Sequence, residues 1–161
     1  MAGGINLSQE MIDALRAKLN YYKYQAAWGE TILGPLNSPP TVEPDMETKE
    51  LVLYETGVDP LSEVISKNNA TITVQSGDVD GATALLKDFK KGDELLDSSK
   101  AKPLIFTPLT EDADAKTITF PNCYLQPGYK PTFAEGDDPN YVELSFKAKE
   151  DPNTKILFTY E

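Results

Sequence analysis

Three groups of closely spaced carboxylates are the places where this sequence could do acid–base or metal chemistry: Asp78 with Asp80, Glu111 with Asp112 and Asp114, and Asp137 with Asp138. A general acid needs an apolar pocket to raise its pKa, and these groups lie among turn and capping residues, where solvated charge is expected. A calcium loop alternates oxygen ligands and ends in glutamate, and the run at Asp78 and Asp80 does not continue that alternation. There is no histidine, one cysteine (Cys123) and one arginine (Arg16), so imidazole bases, paired thiolates and guanidinium clusters are missing. No neighbouring cation lowers the pKa of Cys123. The lone thiol reads as a small buried apolar group in a reducing cytosol, without a disulfide and without a sign of export. Glycine-rich nucleotide fingerprints, a Walker-type lysine loop and a Gly-x-Ser-x-Gly elbow are not found. The expectation is a protein that is not an enzyme, with no catalytic, cofactor-binding or metal residues, whose function resides in surfaces.

Bulk composition bounds what those surfaces can be. Of 161 residues, 40% are hydrophobic and 25% charged, which suits one domain over residues 1–161 with a real core. Fifteen basic residues against 26 acidic ones leave a formal charge of −11, and specific binding to nucleic acid is not expected from such a balance. The acidity either confers solubility or has a use of its own. Residues 1–7 are too short and polar for a signal peptide, and no stretch approaches the roughly 20 apolar residues of a membrane span, so no membrane partner is expected.

The elements that would position such surfaces can be read along the chain. Residues 1–33 hold an N-terminal helix and an aromatic segment. Ser8 caps the helix, and Ile12, Leu15, Leu19 and Tyr22 form an apolar stripe, with Leu7 placed to staple onto Ile12. Tyr21, Tyr22, Tyr24 and Trp28 are either core or an aromatic anchor at a subunit contact. Residues 34–50 form an extended arm, because Pro35, Pro39, Pro40 and Pro44 exclude a helix and any central strand. The arm either reaches a neighbouring molecule or lies along its own domain.

Residues 51–161 read as a β-rich body with a helix near 78–90. Leu51–Tyr54 suggests a short strand, 61–67 is ambiguous between helix and strand, and Ala70–Gln75 alternates as a half-buried strand. Asp78 caps a helix that presents Ala82, Leu85, Leu86 and Phe89 on one face, with lysines near its end and Gly92 as the stop. Leu104–Thr107, Thr117–Phe120 and Tyr141–Ala148 read as strands, with Pro121 bending or ending the second of them. Ile156, Phe158 and Tyr160 alternate after a turn and are expected to pair with Tyr141–Ala148 as a hairpin. Glu135–Asn140 reads as an exposed acidic loop.

The blocks ETKELVLYETGVD at 47–59 and KTITFPNCYLQPG at 116–128, followed by VELSFKAK and the terminal ILFTYE, resemble the major tail, or tail tube, proteins of tailed bacteriophages and prophages. The resemblance implies a mainly β, α+β fold, a β-sandwich or partly open barrel flanked by a short helix. It implies a virion structural protein without catalytic residues, a self-assembling subunit that forms stacked hexameric rings around a channel. A tail terminator or completion protein that forms one ring and stops, and a monomeric β-sandwich binding module, are the alternatives. The partners implied are further copies of the chain and other tail proteins, with DNA passing through without specific binding. The location implied is the virion tail, with assembly in the host cytoplasm. Pro39, Pro40, Val42, Met46, Leu51, Leu53 and Tyr54 are the candidate subunit contacts, and Tyr21, Tyr22, Tyr24 and Trp28 the candidate aromatic anchor. The N-terminal helix at 8–19 has no obvious place in a minimal tube subunit.

Overall fold

The computed structural model describes residues 8–17, 19, 23–52, 62–112, 114–133 and 136–161. Helix α1 (Gln9–Ala17) begins where the sequence predicts it: the Met11 N–H donates to Ser8 Oγ at 3.2 Å and the Ile12 N–H to the Ser8 carbonyl at 3.0 Å. Leu7 and Tyr22, invoked for its staple and stripe, lie outside the described residues. The strands follow as β1 (Tyr24–Trp28), β2 (Thr31–Ile32), β3 (Thr41–Leu51), β4 (Ser62–Ser76), β5 (Lys102–Pro108), β6 (Ile118–Leu125), β7 (Lys130–Thr132), β8 (Tyr141–Lys149) and β9 (Thr159–Tyr160). Helix α2 (Val79–Leu86) lies between β4 and β5. All pairings are antiparallel, in the order β2-β1-β5-β6-β8-β4-β3, with β7 added to β8 and β9 to β6. The mainly β, α+β class expected from the sequence is the class observed.

This sheet folds over on itself, and β6 is the corner. Its first half, Ile118–Phe120, pairs with β5 and β9, and its second half, Asn122–Leu125, pairs with β8. Between them the register slips: Leu104 faces Phe120 while Lys102 faces Cys123, an extra residue on β6 at Pro121 and Asn122. A bulge of this kind lets one strand pass from one layer to the other. Pro121 therefore bends its strand without ending it, and β6 runs on to Leu125. The two layers close on one core, shown by Trp28 of β1 and Phe146 of β8, which are not neighbours in the sheet yet pack ring to ring at 5.7 Å. Val142, Leu144, Phe146 and Ala148 are fully buried in the alternation the sequence displays, opposite Ala70, Ile72 and Val74 of β4.

Helix α2 covers this core through Ala82 and Leu86. Asp78 accepts the Gly81 N–H at 3.1 Å, as a cap should. The helix is shorter than expected and stops at Leu86, because the Lys90 N–H, which a longer helix would give to Leu86, is taken by the Asp93 carboxylate at 2.8 Å. Gly34 lies beside the cap with φ +73°, and a Cβ there would stand 2.5 Å from the Asp78 Cβ, so both conformation and space require glycine.

Of the two readings of the arm, the one along its own domain is observed, and the C-terminal hairpin is corrected. The arm from Thr41 onward is the edge strand β3, bonded to β4 along its length, so it lies along its own chain. Pro44 is tolerated there because β3 is the end strand of the sheet, where proline is accepted. The C-terminal residues do not form a hairpin with β8. Both sides of β8 are already taken, by β4 on one and by β6 and β7 on the other, so β9 pairs with the first half of β6.

Candidate assembly surface

Among the described residues no group of histidine, cysteine and carboxylate side chains is arranged to hold a metal ion. Cys123 is fully buried, with burial pushing its thiol from an ordinary 9.0 up to about 12. At pH 8 that shift alone reduces the thiolate about 1,000-fold. Disulfide-exchange reagents are therefore expected to label Cys123 at least that much more slowly in the native protein than in denaturant, as thiol release followed by absorbance would report. The folded state also keeps a proton that the unfolded state loses, so this contribution to stability is full below about pH 9 and declines as pH rises toward 12. A Cys123→Ala variant should lack that decline.

One stretch of exposed apolar surface lies on the paired strands β3 and β4 and beside their root. Every residue of β3 is exposed, and β4 meets β8 only from Ala70 onward, so the outer parts of the two strands project beyond the sheet as a two-stranded ribbon. Met46, Leu51, Val52, Val64 and Ile65 stand there between 42 and 58% exposed, and Val42, 48% exposed, lies at the root, paired with Ile72. An isolated ribbon is marginal in water. This one is joined across its strands by Lys67, which contacts Asp45 at 2.8 Å and Glu47 at 4.0 Å. The Lys67 ammonium is held above the usual lysine range, first by the hydrogen bond to Asp45. A bulge with Ser66 as the extra residue separates the pairs Glu47–Lys67 and Thr48–Ile65.

Two adjoining grooves lie at the root of the hairpin. The first, about 270 Å³, is walled by Tyr24, Pro39, Pro40, Val42, Phe106, Ile118 and Phe120. The second, about 450 Å³, shares Tyr24, Pro39 and Pro40 with it and continues past Leu36, Lys23 and Leu109. Among the described residues neither wall contains a carboxylate, although the chain has 26 acidic residues, and Lys23 is the charged residue they hold.

The residues singled out from sequence fall into three places. Pro39, Pro40 and Val42 line the groove, whereas Met46 and Leu51 stand on the projecting ribbon. Tyr24 is half-buried and shared by both grooves. Trp28 is 8% exposed, packed on Phe146 with its Nε1–H donating to the Cys123 carbonyl at 3.3 Å, so the structure separates it from Tyr24. Tyr21, Tyr22, Leu53 and Tyr54 lie outside the described residues. Val64, Ile65 and Leu109 were not anticipated as surface residues of interest. Val64 and Ile65 sit in the stretch whose period was ambiguous, and Leu109 follows a strand whose end carried no signal.

The arrangement defines a class before any comparison: a two-layer β protein with an apolar groove whose described walls hold no carboxylate, and with an exposed apolar edge strand. No family model matches the chain, and no curated protein does. Solved structures do. The chain is similar to the tube-terminating cap of the anti-feeding prophage, with 11% identity, a TM-score of 0.57, and 89% of this chain and 90% of that one covered. It is also similar to a chain in the sheath–tube complex of an extracellular contractile injection system, PVC, in its extended state: 19% identity, TM-score 0.53, 97% and 99% covered. A third likeness is to the sheath/tube terminator of that system, at 17% identity, TM-score 0.51, with 89% and 96% covered. The chain has the fold of these proteins.

Proposed function

We propose that the chain is a ring-forming structural subunit of a tail-like particle and that it closes the end of a tube. The observation that carries this reading is the fold shared with a cap and a terminator over about nine-tenths of each chain. The physical surface agrees with it. An exposed edge strand is a standing template for pairing, and a second copy laid on it would remove the hazard while building a ring. Particle partners follow from the role: further copies of itself, six by analogy with tail rings, and the neighbouring tail components on the face that continues the tube. It would work in the assembled tail after assembly in the host cytoplasm. DNA or other cargo would pass without specific binding, since a charge of −11 per copy repels phosphate.

The tube subunit itself is the second reading, favoured by the likeness to a chain of the sheath–tube complex, which covers nearly all of both chains. Negative-stain images of the purified full chain over a concentration series separate the two. Single rings that do not stack are the expected result, long tubes support the second reading, and monomers at every concentration overturn both. Because the copies repel one another, the threshold for ring formation should fall as salt is raised from about 0.01 to 0.15 M.

A further inference from the structure

We draw no further inference here: the strongest candidate, the apolar groove walled by Tyr24, Pro39, Pro40 and Phe120 at the root of strands β3 and β4, carries none, because nothing in the structure shows what covers it.

Discussion

Phe146→Ala is expected to destabilise the folded chain by about 3–5 kcal/mol. Phe146 is fully buried, faces Ile72 and Leu125 on the two strands beside it, and packs on Trp28 across the core. It therefore joins both layers, and the cavity left by alanine has rigid walls on every side. Since domains of this size are stable by only about 5–15 kcal/mol, the variant should lose about a fifth of its stability or more. Urea unfolding would report this as a lower midpoint with an unchanged slope. Ile65→Ala on the ribbon is the matched control: Ile65 is 58% exposed, and the loss should stay within about 0.5 kcal/mol. Equal losses at the two positions would contradict the core described here.

Met46→Lys with Leu51→Lys should do the reverse, leaving the fold intact and abolishing assembly. Both side chains stand about half exposed on the edge strand β3, so the monomer should unfold within about 0.5 kcal/mol of wild type. Removing two apolar anchors from an interface and placing ammonium groups there should raise the concentration needed for rings about 100-fold or more. Lysine is the informative choice. It lowers the net charge of an acidic chain, which by long-range repulsion alone would favour association, so a loss of rings must come from the contact itself. Sedimentation velocity over a dilution series checks it, and unchanged ring formation would exclude the ribbon from the interface.

The sequence carried the buried strands plainly, and its failures have physical causes. Residues 141–148 alternate because one face of β8 is core and the other is not, and the same holds for 70–75. The prolines of the arm correctly excluded a central strand, but the bonding of β3 to β4 was hidden, because its partner segment carries the Ser66 bulge, and one extra residue breaks the period of two. The route of β9 was also hidden. Whether a terminal strand joins β8 or β6 depends on which edges are already occupied, and that is settled by β4, β6 and β7, far away in sequence. Pro121 signals a bend in any sequence, yet only the paired layers show that the strand continues past it. For the surface, exposed apolar residues in the arm were legible one by one. The grooves were not, because their walls are assembled from β1, the arm, β5 and β6.

Strand β4 runs from the projecting ribbon into the centre of the sheet, bonded to β3 from Ser62 to Thr73 and to β8 from Ala70 to Ser76. A tug applied at the tip would therefore act along the strand axis and load the ladder from Ala70 to Ser76 in shear, all of its rungs sharing the force at once. A peeling geometry would break the same rungs one after another at far lower force. Traction on the projecting strands would thus be carried along β4 into its ladder with β8 at the centre of the sheet.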